Sequence, residues 1–277
     1  RICHYGDIKI KEVDEESRGE GREPFDIEET IGDGRISANY QPWIYISTDE
    51  SISLKDIYDV RVEVIDTTGR RIGQDELLMM LDDAYARRIV DRWVLRNTAT
   101  QLKELSRDGD SKIKFAVRVS LSTVSDPKFP PWLRVLLKDA SPPRGCLLFE
   151  IDAAHFLRDP AEYQGLIKEF GGLYDVKFIL SGISRIELYY EVREKQRFDY
   201  IKLNVKDLIY GFPRAPLNRL IDTVREDGGK IVAINVADAE TLTLATDFDI
   251  DYVHGYLVGR PFVDVITDSE GDLYCVI

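Results

Sequence analysis

Apolar residues along the chain fall into two kinds of stretch. Short runs rich in β-branched and aromatic residues predict strands at 36–46, 57–66, 113–121, 146–151, 176–180, 198–203, 230–236 and 250–254. Between them, apolar positions three or four apart predict helices. The longest starts at Asp75, where Leu77, Leu81, Tyr85, Ile89 and Trp93 lie four apart and form a stripe that Leu102 and Leu105 extend. A break is expected near Asp82 and a stop at Asp108-Gly109. Further helices are predicted over 127–137, 160–170 (stopping at Gly171-Gly172), 186–192, 217–224 (stopping at Gly228-Gly229) and 239–245.

Eight strands separated by helices in 277 residues predict an α/β fold of the (β/α)₈ barrel type. An open doubly wound sheet is the competitor, but the glycine-rich phosphate turn it would normally carry after an early strand is missing. Residues 1–34 stand apart. They carry an acidic stretch from Glu12 to Glu29 broken by Gly19, Gly21 and Pro24, which reads as a leader or linker. The alternative is an extended segment pairing with the apolar end, 273–277. The barrel domain is expected over 35–277.

Composition narrows the function classes. A net charge of -13 disfavours duplex nucleic acid and anionic membrane as partners. No run of about 18 apolar residues suggests a membrane span, and a cytoplasmic location is the expectation. Cys3, Cys146 and Cys275 form no zinc or disulfide pattern, and Cys146 reads as a small core residue. The chain begins at Arg1, which reads as a piece of a longer protein.

Glu150 is the first candidate for chemistry. It ends an apolar run at the carboxyl end of a predicted parallel strand, where α/β barrels place their sites. Around it stand six phrases in order: Tyr40-Gln41-Pro42, Asp91 to Leu95 (DRWVL), Val117 to Pro127 (VRVSLSTVSDP), Phe149-Glu150-Ile151, Asp199 to Leu203 (DYIKL), and His254-Gly255-Tyr256-Leu257 followed by Pro261. In order and spacing they resemble the EAL-domain family, the phosphodiesterases of the bacterial second messenger cyclic di-GMP. The resemblance implies a barrel whose first strand runs antiparallel to the rest. In active members it implies two divalent metals that activate a water against a phosphodiester, which requires several hard oxygen ligands.

The departures from that pattern fall on the metal-facing positions. The signature glutamate falls on Asp59 and its ligand-holding arginine on Glu63. The asparagine of the VNLS phrase falls on Arg118, the paired aspartates on Ser181 and Gly182, and the aspartate after Lys202 on Asn204. Two later glutamates fall on Ile234 and Ala237, and a glutamine falls on His254. Only Glu150 is unchanged. The resemblance therefore implies a degenerate domain with no catalytic residues and no Mg²⁺ or Mn²⁺. Glu150 is expected to pair with Lys202 or Arg118 instead.

Within the family the chain is similar to the FimX type, on Asp59-Val60 and Pro131-Trp132-Leu133. That implies a receptor that binds cyclic di-GMP without metal and acts with PilZ-type partners in type IV pilus control. Ligand contacts are expected from Gln41, Asp59, Val60, Arg61, Arg118, Glu150, Lys202, His254, Gly255 and Pro261. Glu63 with Asp59 would repel a dianion, and Arg61, Arg118 and Lys202 would offset this if strand alternation puts them on one face. Gln41 could instead cap the first strand. Tyr189-Tyr190 are either core or a homodimer contact. The alternatives are a protein-interaction scaffold that no longer binds the dinucleotide and a metal-dependent cyclic di-GMP phosphodiesterase.

Overall fold

The computed structural model describes residues 25–46, 56–81, 83–106, 113–207 and 211–262, with two further short strands at Ile266–Thr267 and Leu273–Tyr274. Eight of its strands close a barrel: β1 (Ile36–Tyr45), β2 (Ile57–Ile65), β4 (Lys114–Arg118), β5 (Leu147–Asp152), β6 (Lys177–Ser181), β7 (Tyr200–Asn204), β8 (Lys230–Ile234) and β9 (Tyr252–His254). β1 is antiparallel to both its neighbours, β2 and β9, and every other barrel pairing is parallel. These are the eight runs that the apolar pattern marks. A three-residue strand missed by that pattern, β3 (Arg71–Gly73), returns through the turn at Thr67-Thr68-Gly69 and adds to the outer edge of β2.

Strand alternation splits the apolar residues into two cores. Trp43, Ile57, Ala116, Leu148, Ile179, Tyr200, Val232 and Tyr252 fill the barrel as one cluster. Their sequence neighbours, among them Tyr58, Val117, Phe149, Leu180, Ile201, Ala233 and Val253, face outward under the helices, as does Val60 further along β2. The inward register continues upward to the carboxyl ends of the parallel strands, so Asp59, Arg61 and Glu63 of β2 share one face. Arg118, Glu150, Ser181, Lys202, Asn204, Ile234 and His254 hold the matching inward positions on the other strands.

The helices cover this sheet. α2 (Gln74–Met80) and α3 (Ala84–Leu105) are separate, and the Asp83 side chain caps α3 by accepting from Ala86 N. The break resets the helical phase. The buried face of α3 runs through Ala86, Val90, Val94 and Leu102, while Tyr85 of the expected stripe is exposed. Asp91, buried on α3, accepts from Ser120 N at 2.9 Å, Ser120 Oγ at 2.6 Å and Thr123 Oγ1 at 2.6 Å, which fixes the chain just beyond Arg118. The predicted helix at 160–170 does not stop at the glycines. α7 (Pro160–Leu166) runs through a π turn, Ile167–Gly171, into Gly172–Tyr174, and Asp175 in the left-handed region ends it. Tyr189, on the helix Ile186–Arg193, is buried and stacks edge-on with Tyr190, which is core packing.

Part of the stretch read as a leader belongs to this unit. α1 (Ile27–Gly32), capped by Asp26, packs on α3 with Ile27 and Thr30 buried. Leu273–Tyr274 pairs with Ile266–Thr267. The leader residues expected to pair there lie outside the described residues.

Candidate functional site at the barrel mouth

Inward-facing groups of β1, β2, β5, β7 and β9 converge on Lys202. Its ammonium lies 2.9 and 2.8 Å from the two oxygens of Asp59 and 2.5 Å from Glu150 Oε2, with Lys202 only 4% exposed. The Trp43 indole N–H donates to Asp59 Oδ1 at 2.9 Å, and the Lys202 nitrogen stands 5.1 Å from the Trp43 ring centre. His254, buried on β9, has Nε2 3.3 Å from Asp59 Oδ2, but neither imidazole nitrogen makes a hydrogen bond among the described residues.

The electrostatics follow from burial opposed by pairing. Burial alone would raise the Asp59 carboxyl, but Lys202 and His254 more than offset it and hold the group down at about 2. Glu150 is also lowered, against burial, chiefly by Lys202. Burial would strip the proton from Lys202, yet Asp59 and Glu150 together hold its pKa above the ordinary lysine value. Burial dominates at His254 and drives it down to about 4, with Asp59 opposing, so the ring is neutral at pH 7.

Higher in the mouth, Glu63 is not left bare. Its Oε1 accepts from Arg71 Nη1 at 2.9 Å. The pattern gave no hint of Arg71, because the short edge strand that carries it was missed. Arg61 faces the mouth 3.9 Å from Asp75 Oδ2. Arg118, half-buried, stands in register with Glu150 and helps lower its pKa.

Several expected ligand contacts sit elsewhere. The Val60 side chain points away from the mouth, packed under the helices, because alternation puts it opposite Asp59. Gln41 is buried and donates to Gly259 O at 2.9 Å, strapping the turn after β9 to β1. Gly255 approaches β8's end so closely that a Cβ there would lie 2.3 Å from Val236 O. Pro261 precedes Phe262, which bridges to Tyr40. Ala237 lies exposed beyond β8, and Gly182 backs onto Asp152 with a left-handed φ of 71°. Trp43 is the residue that sequence reasoning passed over. It lies two positions from Gln41, on the same face of β1.

The donor set does not suit two dications. Of the family's metal-facing positions only Asp59 and Glu150 carry carboxylates, and Lys202 takes both. Asp152 also faces inward, but its Oδ1 is committed to Ala154 N and His155 N as the cap of the helix Ala153–Arg158. Among the described residues, no group of three or more His, Cys, Asp or Glu side chains is arranged to hold a metal ion. Among them, too, no helix is long and apolar enough to cross a membrane.

The sequence profile of the EAL domain matches residues 26–261. The chain belongs to the EAL domain family. Three solved EAL structures share its fold. The FimX EAL domain of Pseudomonas aeruginosa bound to c-di-GMP superposes with a TM-score of 0.73 at 20% identity, covering 85% of this chain and 94% of that one. The FimX EAL domain of Xanthomonas citri in complex with c-diGMP gives 0.72 at 18%, covering 86% and 92%. The PaMucR phosphodiesterase in its c-di-GMP complex gives 0.71 at 17%, covering 85% and 95%. An uncharacterized 76.5 kDa protein of Thiocystis violacea is 18% identical over 231 residues, 83% of this chain and 32% of that protein, so the chain spans about a third of that relative's length. FimX domains and a phosphodiesterase superpose almost equally well, so the likeness gives the EAL fold and leaves the activity to the side chains.

Proposed function

We propose that this EAL domain is a non-catalytic receptor in cyclic di-GMP signalling. The reading is carried by one observation: both carboxylates that remain at the family's metal positions are consumed by Lys202. Hydrolysis of a phosphodiester in this fold rests on a metal-activated water, and the ligands for the metals are missing. Neither Asp59 nor His254 replaces the metal as base. Asp59 at about 2 and His254 at about 4 both hold protons too weakly to accept one in the reaction at neutral pH.

Binding of the dinucleotide without metal is supported by the charges of the mouth. Arg61 and Arg118 face inward, and Glu63, opposite in sign to the family's arginine, is neutralised by Arg71. The domains of P. aeruginosa and X. citri FimX were solved with c-di-GMP bound. The same resemblance extends the proposal to a cytoplasmic role alongside a PilZ-type partner in pilus or motility control. A second reading, a scaffold that has given up the ligand, is favoured by Tyr256 and Leu257, which stand exposed on the turn after β9.

Calorimetric titration with cyclic di-GMP, in Mg²⁺ and again in EDTA, decides between them. Equal binding in both supports the receptor, and no binding supports the scaffold. Turnover above a Glu150→Ala control that EDTA abolishes would defeat both and restore the enzyme.

A further inference from the structure

We propose that a groove at the amino-terminal end of the barrel, opposite the mouth, docks an acidic peptide of a partner protein through one apolar side chain. The groove holds about 230 Å³ and opens between the helix Phe129–Ala140 and the segment that follows α7. An apolar cavity of roughly 150 Å³ accepts a benzene ring, so there is room for one leucine or aromatic side chain. Leu137, Leu147 and Val176, all buried, form its floor. Its corners are stiff. Ser141 ends the first helix at a left-handed φ of 46°, Asp175 ends the second segment at 57°, and Pro142-Pro143 hold the chain extended across the gap.

Two observations point to an occupant. The first is Leu173. The buried stripe Tyr163, Leu166 and Phe170 would take in position 173 next if the α-helix ran on. The π turn at Ile167–Gly171 breaks that phase, so Leu173 stands 62% exposed on the groove wall. The second is charge. The chain carries a net charge of -13, yet the groove is lined by the cations Lys138 and Arg144 and by no carboxylate. Among the described residues neither cation is held in an ion pair, and Arg144 Nη1 only spans the groove to donate to Leu173 O at 3.3 Å. Asp175, at the corner, is taken up by Lys177 at 2.9 Å. An apolar floor under unpaired positive charge, on an acidic chain, matches a peptide whose leucine or aromatic residue stands between carboxylates. The groove borders the start of β5 and Glu150 lies toward its other end, so this docking stands or falls apart from what the mouth binds.

The test selects a phage-displayed library of random short peptides on the whole chain and measures the enriched peptides by fluorescence anisotropy. Enriched sequences should carry a leucine or aromatic residue with Asp or Glu on both sides. Lys138→Glu together with Arg144→Glu should weaken their binding by about tenfold or more, because an exposed ion pair contributes up to about fivefold and reversal adds repulsion. Leu173→Asp should weaken it severalfold by setting a charge on the apolar wall. All three positions are exposed, so an unchanged Tm shows that the fold is kept. Basic enriched peptides, or none at all, overturn the proposal, and so does binding that survives the three substitutions. Two other outcomes overturn it by naming another occupant. A chain starting at Phe25 that binds the peptides markedly more tightly than the whole chain makes the acidic leader the occupant, and dimers that the same substitutions dissolve make it a second copy.

Discussion

At the scale of single residues, the mouth is an ion-pair network whose stability depends on His254 staying neutral. The imidazole is held down at about 4 by burial, against an ordinary value of 6.5. Between those values the unfolded chain binds a proton that the folded one refuses, so stability is full above about pH 6.5 and falls as pH drops toward 4. The whole effect amounts to about 3 kcal/mol, of which about 2 kcal/mol is lost between pH 7 and 5. Asp59, lowered to about 2, loses its contribution only below the ordinary carboxylate range and leaves that window alone. His254→Gln should therefore flatten the urea-measured stability between pH 7 and 5 by about 2 kcal/mol relative to wild type, and an unchanged slope would refute the neutral buried ring. Arg71 gives a second expectation. Arg71→Ala frees Glu63 to face an anionic ligand, which should weaken cyclic di-GMP binding severalfold, by about 0.5–1 kcal/mol, with Tm unchanged. The Glu150–Lys202 pair was legible in the sequence because both residues end strands that the barrel order brings near each other. Trp43 and Arg71 were not, because neither stands at a position the family's motifs name and Arg71 rides on a strand too short to show a period.

At the scale of elements, the sequence showed long periodic segments well and local turns poorly. The helix α10 (Arg214–Glu226) was legible from Leu217, Leu220, Ile221 and Val224, spaced three and four apart and all buried. The helix α6 (Ala153–Arg158) was not, because six residues carry too little pattern. It exists because Asp152, at the end of β5, caps it through Ala154 N at 3.0 Å and His155 N at 3.1 Å. That cap also explains Gly182. A Cβ there would fall 2.1 Å from Asp152 Oδ2, and the φ of 71° favours glycine as well. Asp152→Ala should cost about 1 kcal/mol in chemical denaturation as the cap is lost. Gly182→Ala should cost at least as much, since it strains its own backbone and pushes the carboxylate off the cap. The double variant should cost less than the sum, because Asp152→Ala removes the atom that Gly182→Ala would strike. Additive costs would show that the two do not meet.

At the scale of the whole molecule, closure of the barrel is what no periodicity reveals. Eight apolar runs fit a ring of parallel strands and also fit a ring with β1 reversed, and only the family's motifs pointed to the second. The reversed β1 sends the chain into the barrel from the mouth side, so what precedes it must lie over the outer helices near that end. α1 does this, with Ile27 and Thr30 buried against the core and Asp26 capping it through Glu28 N and Glu29 N. The acidic composition of 12–29 hid this, since Glu28 and Glu29 on the exposed face look like linker while Ile27 alternates too briefly to stand out. The folding unit should therefore begin before the first strand. Burial of one isoleucine side chain contributes about 1.5–3 kcal/mol, and in a domain of this size each kcal/mol moves Tm by about 2–4 °C. A chain starting at Phe25 should melt several degrees above one starting at Arg35, and Ile27→Ala in the longer chain should account for most of that gap. Equal melting of the two chains would place α1 outside the cooperative unit and return the boundary to the start of β1.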